Sequence, residues 1–186
     1  LSGPFWQREI THEAKALLEI IPDNGAWGAE IGTLRAKTAC ILLHRRPGLK
    51  MVLVDSWDDD NETMQVVGQT GDETHAEAMA NIYPFRDRVT VIRNTSVKAA
   101  AELPAAWKFD FIHLDADHYY DSVLADCRAW WPKVRRGGWL CGHDIDHPLW
   151  PDWGVRQAVE EFSTEIGLPF TVNADLMHWR IKKVKR

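Results

Sequence analysis

The sequence predicts an α/β protein built on a doubly wound, Rossmann-like sheet, mostly parallel with an antiparallel last strand. Short apolar runs alternate with helix-period segments along the chain, and strands buried on both faces of a parallel sheet read as near-continuous apolar runs. Several runs end in an acid or a glycine, and the carboxyl ends of such strands are where open α/β sheets bind ligands. The last two runs are separated by only a few residues around Asn173-Ala174-Asp175. That is too short for a parallel crossover and implies an antiparallel hairpin.

The elements follow in order. Apolar positions at helical spacing predict a leading helix over 10–21, ended by Pro22-Asp23-Asn24-Gly25. Residues 27–31 are a buried strand and Gly32-Thr33-Leu34 a turn. A helix over 37–46 is closed by Pro47-Gly48, and 51–55 is the second strand. The acidic segment 56–72 reads as a loop, and a helix over 74–82 stops near Pro84. The third strand is 88–93, followed by a short helix over 97–103. The fourth strand, 109–115, leads into a helix running to about residue 134, with Pro132 near its end, where a kink is tolerated. Gly137-Gly138 reads as a turn before the fifth strand, 139–142. A helix over 154–166 presents Val155, Val159 and Phe162 to the core, and the hairpin runs are 169–172 and 177–184. Without repeats, low-complexity tracts or long linkers, residues 1–186 read as a single domain.

Composition narrows the function classes. The net charge of −5 argues against a nucleic-acid or membrane-surface partner, so basic clusters such as Arg135-Arg136 read as solvated ends. No apolar run approaches the ~20 residues of a membrane span. Cys40, Cys127 and Cys141 lack the regular spacing of a disulfide framework, which points to a reducing, cytoplasmic compartment.

At the first strand end, Glu30 lies in an apolar setting, where a carboxylate is costly unless paired; a ligand ammonium is one natural partner. Gly32 permits a tight turn and close approach of a ligand to the backbone, and the amides opening the next helix suit an anionic group. The full G-x-G-x-x-G dinucleotide fingerprint is absent, which disfavours a nicotinamide-binding domain. Asp55 ends the second strand; it reads either as an acid that accepts from both hydroxyls of a ribose or as a loop-capping aspartate.

In order along the chain stand Glu30-x-Gly32, Asp55, Asn94-Thr95-Ser96, Asp115-Ala116-Asp117-His118, Gly137-Gly138 and Gly142-His143-Asp144. With these features the sequence resembles the class I S-adenosylmethionine-dependent methyltransferases, in the small-molecule and sugar O-methyltransferase branch of catechol and macrocin types. The resemblance covers nearly the whole chain and implies S-adenosylmethionine as cofactor. It implies Glu30 and Gly32 near the methionine portion, Asp55 on the ribose, Ser56 and Trp57 flanking the nucleoside and Ser96 near the adenine, with Thr33 and Asp115 also among the cofactor-binding residues. Ala36 stands where related sequences often have glycine, which crowds the turn without removing its amides.

The same resemblance implies a divalent metal, Mg²⁺ or Mn²⁺, bound by acids ending strands four and five, here Asp115 and Asp144. His143 occupies a place where relatives often carry an acid or amide, and as a third ligand it suits Mn²⁺ better than Mg²⁺. His143 and His118 are also candidate general bases, with Asp115 in the catalytic group. Against these stand bland readings in which His143 bonds backbone and Asp117-His118 caps a helix; Asp121 and Asp126 read as a solvated helix face. The loop Trp150-Pro151-Asp152-Trp153 reads as a wall of the acceptor site or a packed lid. The expected activity is methyl transfer to a hydroxyl of a small molecule, with metal assistance. The alternatives are a metal-free enzyme with a histidine base and a non-catalytic module that binds the cofactor. The chain has no separate substrate domain, so specificity falls to loops or to a neighbouring subunit of a homo-oligomer.

Overall fold

In the computed structural model, which describes residues 3–23, 25–59, 68–150 and 152–184, the apolar runs become one seven-stranded sheet. Strands β1 (Trp27–Ile31), β2 (Lys50–Asp55), β3 (Val89–Arg93), β4 (Phe109–Leu114) and β5 (Val134–Gly142) run parallel. β7 (His178–Lys182) pairs antiparallel with both β5 and β6 (Phe170–Asn173), giving the order β3-β2-β1-β4-β5-β7-β6. The predicted fold class is the observed one.

Period-two alternation along the strands divides the core between two faces. Met51, Leu53, Phe111 and Cys141 pack against helices α2 (His12–Leu18), α3 (Lys37–Arg45) and α4 (Gly71–Ile82), through residues such as Leu17, Cys40, Leu43 and Ala78. Val52, Val54, Ile112 and Leu140 pack against α5 (Ser96–Glu102), α6 (Tyr120–Trp130) and α7 (Val155–Ile166), through Ala99, Leu124, Val159 and Phe162. Each such aliphatic or aromatic side chain contributes roughly 2 kcal/mol by leaving water. The strand order reverses between β1 and β4, so a crevice opens above their carboxyl ends.

Several boundaries differ from expectation. The leading helix is shorter than 10–21: α2 spans His12–Leu18, started by Thr11, which caps it by accepting from Ala14 N at 3.2 Å, and a separate short helix, α1 (Phe5–Arg8), precedes it. The helix expected to run to residue 134 stops at Trp130, where a short 3₁₀ turn (Trp131–Lys133) takes up Pro132. Gly137-Gly138 is not a turn between elements; it lies inside β5, at an irregularity where Phe109 faces Val134 but Phe111 faces Trp139. A Cβ on Gly138 would stand 2.7 Å from the carbonyl oxygen of Asp110, so the bulge needs a residue without one. α4 starts three residues early, at Gly71, fixed by a reciprocal capping box between Thr70 and Glu73. Of the expected loop 56–72, residues 60–67 lie outside the described residues, as do Asn24 of the first turn and Pro151 of the Trp-rich loop.

Candidate functional site

A cavity of about 810 Å³ occupies the crevice, walled by the strand ends and by the first turns of α5 and α6. Gly32 closes the β1 end. Its φ of +88° lies in the left-handed region, and a Cβ there would come within 2.1 Å of the Asp115 carbonyl oxygen. The turn can therefore press against the end of β4 only because position 32 has no side chain. Ala36, the position where relatives often carry glycine, sits buried in the left-handed region at φ +56°, just before α3. A non-glycine residue costs about 1 kcal/mol there.

Glu30 reaches the cavity from β1 while only 3% exposed, and its Oε2 has no donor among the described residues. Burial, reinforced by Asp115, Glu13 and Asp55, holds its carboxyl well above the usual range. Thr33 is buried beside it and also lines the cavity. Asp55 ends β2 with one oxygen accepting from Leu34 N and the other from Trp57 N, 2.8 Å each. It is thus a loop-capping aspartate, and it also faces the cavity.

Ser56 lines the cavity, but Trp57 does not. Its backbone turns at φ +45°, which carries the indole into the core, 1% exposed, with Nε1–H donating to Leu34 O at 2.9 Å and the ring 4.5 Å from His75. The expectation that Trp57 flanks the nucleoside is corrected to a role as a brace beneath the turn. Ser96 is in the cavity wall, with its hydroxyl 2.5 Å from Asp126 Oδ1. Asp126 itself overturns the reading of a solvated helix face: it is 6% exposed, because α5 packs over α6 at that point.

At the β4–β5 rim, Asp115, His118 and Asp144 each offer a ligand atom, all within 4.8 Å of one another. His118 Nε2 lies 3.6 Å from Asp115 Oδ1 and 2.9 Å from Asp144 Oδ2, yet its N–H is not aligned for a hydrogen bond with either. Burial disfavours the charged imidazole, but the two carboxylates outweigh it and raise the group to about 9. Trp153 stacks on the His118 ring at 4.0 Å and 12°, and Trp150 stacks on Trp153 at 5.4 Å. Asp144 sits at φ +57°; burial penalises its charge, but His118 and His143 more than compensate and hold it well below the usual carboxylate range.

His143 stands apart from this cluster. It is 7% exposed and outside the main cavity, with Nδ1 3.0 Å from Asp144 Oδ1 and Nε2 3.8 Å from Glu13 Oε1. The imidazole grouped with the two carboxylates is therefore that of His118, whereas His143 contacts Asp144 from outside the main cavity. Asp117 caps the start of α6, accepting from Tyr119 N at 3.1 Å and from the Ser122 hydroxyl at 2.6 Å. Asp146 is held away from the site by Arg156.

Two features were missed from the sequence. Glu13 lines the cavity from α2, an element with no local mark of function. Beneath Asp144, His113 and His178 are buried and stacked at 5.8 Å, and burial keeps both from charging. Among the described residues no helix is long and apolar enough to cross a membrane.

A structure of a Klebsiella pneumoniae protein, provisionally described as an O-methyltransferase, superposes with a TM-score of 0.71 at 15% identity, covering 100% of this chain and 92% of that one. The Bacillus cereus O-methyltransferase in complex with SAH superposes at 0.63 and 20% identity, covering 94% and 80%. A Sinorhizobium fredii (strain NBRC 101917 / NGR234) protein, uncharacterized protein y4gI, is 23% identical over 131 residues; these are 68% of this chain but only 14% of that protein's length. The two structures establish the likeness of fold. A profile described as a methyltransferase domain matches residues 29–145, from β1 to just past Asp144, the span that supplies most of the residues lining the cavity. The chain belongs to the methyltransferase-domain family.

Proposed function

We propose that this chain transfers a methyl group from S-adenosylmethionine to a hydroxyl oxygen of a small molecule, with a divalent cation held by Asp115, His118 and Asp144 beside the reacting atoms. The observation that carries the reading is the convergence of those three side chains at the edge of the cavity shaped by Glu30, Gly32 and Asp55. Family membership supports the donor, and the naming of the K. pneumoniae and B. cereus structures as O-methyltransferases supports oxygen as the acceptor atom.

When bound, S-adenosylmethionine supplies an electrophilic methyl group on a sulfonium. Glu30, buried with an oxygen that lacks a donor, suits the ammonium of the methionine portion. Asp55 keeps lone pairs free after taking one amide on each oxygen and presents them to the ribose hydroxyls.

The donor set fits a cation: two carboxylates and an imidazole converge, and His118 lies close to Asp144 without hydrogen-bond alignment. Mixed oxygen and nitrogen ligands favour Mn²⁺ over Mg²⁺. A divalent ion held there supplies Lewis acidity that favours the deprotonated acceptor hydroxyl. His143 keeps the Asp144 carboxylate oriented, and Trp153 fixes the plane of His118 and shields it from water. The residues thus contribute orientation and charge. His118 is a weaker candidate as a metal-free base, since two carboxylates hold its proton up to about 9.

The test is incubation with methyl-labelled S-adenosylmethionine and a panel of hydroxylated metabolites, with Mn²⁺ or with chelator. Labelled product only in the metal-replete arm is the expected result. Equal label in both arms removes the cation. Binding of S-adenosylhomocysteine with no labelled product from any acceptor favours the non-catalytic module.

A further inference from the structure

We propose that a groove between the start of β5 and the end of β7 binds a phosphate group, free or carried on a small organic ester. The basic residues that read as solvated ends in the sequence are gathered there by the fold. Arg135 and Gly137 near the start of β5, Lys182 closing β7, and Lys183 and Val184 just after it line a groove of about 430 Å³ with no acid among them. That volume falls at the lower end of small-molecule pockets. The groove lies at the amino edge of the parallel strands, opposite the donor cavity and roughly 20 Å from it along the six residues of β4. It stands independently of the methyl-transfer reading.

The cations of this corner are ordered before any anion arrives. Lys183 Nζ donates to Trp131 O at 2.7 Å and rests 4.7 Å over the Trp131 ring. Lys108 Nζ donates to the next carbonyl, Pro132 O, at 2.7 Å, and Lys133 Nζ donates to Leu103 O at 2.7 Å. Three ammonium groups therefore meet around one 3₁₀ turn. An ammonium has three donors, so a single carbonyl fixes Lys183 or Lys108 and leaves two N–H groups on each. These anchors are neutral and cancel no charge. Asp110, the acid at the start of β4, is already engaged by Arg135 and by Trp27 N. Burial, reinforced by Lys108 and Arg136 of like sign, lowers the Lys183 ammonium, and burial with Lys108 lowers that of Lys133. An oxyanion with several oxygens relieves that repulsion by accepting from Arg135, Lys182 and Lys183 together. The patch is one corner of a chain of net charge −5, which suits a single phosphate and not a polymer's row of them.

Calorimetric titration of the wild-type chain with inorganic pyrophosphate and with glycerol 3-phosphate, at fixed ionic strength, tests the site. At least one binds, and the tighter of the two tells whether the group is taken free or as an ester. Lys182→Gln/Lys183→Gln weakens that binding at least about tenfold, through loss of charge-assisted hydrogen bonds. Lys182→Gln alone, an exposed position that anchors no carbonyl, weakens it about threefold or more should the double variant fail to fold. Lys15→Gln, on α2 across the sheet, leaves it unchanged. Failure of both anions to bind the wild type at millimolar concentration overturns the proposal without any variant. Wild-type affinity in the Lys182 and Lys183 variants, or displacement of the anion by S-adenosylhomocysteine, overturns its placement in this groove.

Discussion

At the β1–β2 rim Asp55 is fixed by two backbone amides, and the carbonyl of Leu34 is fixed in turn by the indole of Trp57. At the β4–β5 rim Asp144 is held by the imidazoles of His118 and His143, and His118 by two carboxylates and a stacked indole. The first rim is held by main chain and keeps its shape whatever the charge on its side chains. The second is held by side chains that hold one another, so its geometry depends on their ionisation and on any cation among them. Binding the donor calls for the first arrangement. The proposed activation of an acceptor calls for the second, because groups that fix each other's charge can also share it with a third party.

Gly32 is where the two rims touch, and changing it should break the contrast. Gly32→Ala adds a Cβ 2.1 Å from the Asp115 carbonyl oxygen, with φ at +88°. Both contacting groups are backbone, so neither can swing aside. The expected loss is about 3 kcal/mol or more of folding stability, with both rims damaged together. Urea denaturation measures it; a loss under about 1 kcal/mol would show that the turn can retreat from β4.

Asp144→Asn should separate the rims. The amide keeps the shape but loses the charge that engages His118 and His143, and methyl transfer is expected to fall about 100-fold or more. The affinity for S-adenosylhomocysteine should change by no more than about threefold, since the first rim holds itself. Labelled-methyl assays and calorimetry read the two effects independently. A collapse of both would mean that the rims form one unit.

The same contrast governs what was legible in the sequence. Glu30, Gly32, Asp55 and Asp115 stand at the ends of apolar runs, so strand periodicity placed them at one rim before any coordinates. The choice between His118 and His143 was not legible, because it depends on Asp144 turning at φ +57°, a torsion with no mark in a sequence that has aspartate there. Trp57 was misplaced for a similar reason: its φ of +45° turns the indole away from the cavity it follows in sequence. Asp126 looked like any acid on a solvated helix, and its burial comes from α5, some thirty positions earlier, closing over α6. Gly137-Gly138 carried a true signal of irregular backbone, assigned to the wrong side of a strand boundary.

Asp126 also allows a pH test of how much the cavity floor costs the fold. Burial, against the Ser96 hydrogen bond and with help from Asp117, raises its carboxyl to about 6 from 3.8. Between those values the folded chain binds more protons than the unfolded one, so this group's effect on stability improves as pH falls from 6 to 3.8. Above pH 6 the buried charge costs about 3 kcal/mol. Asp126→Asn should therefore be about 3 kcal/mol more stable than wild type at pH 8, with the advantage vanishing below about pH 4. Thermal melts across that range check the sign. An advantage independent of pH would trace to packing instead of ionisation.

Trp57→Phe gives the smallest expected change and the finest test of the main-chain-held rim. Phenylalanine fills most of the same buried space beside His75 but cannot donate to Leu34 O. One lost hydrogen bond with its carbonyl left unpaired costs about 1 kcal/mol, together with a small packing loss. Leu34 N would still donate to Asp55 Oδ2, so the turn keeps its second tie and the affinity for S-adenosylhomocysteine should fall by only about threefold. A loss in binding much larger than the loss in stability would mean that the indole positions the donor directly, and that this rim, too, depends on its side chains.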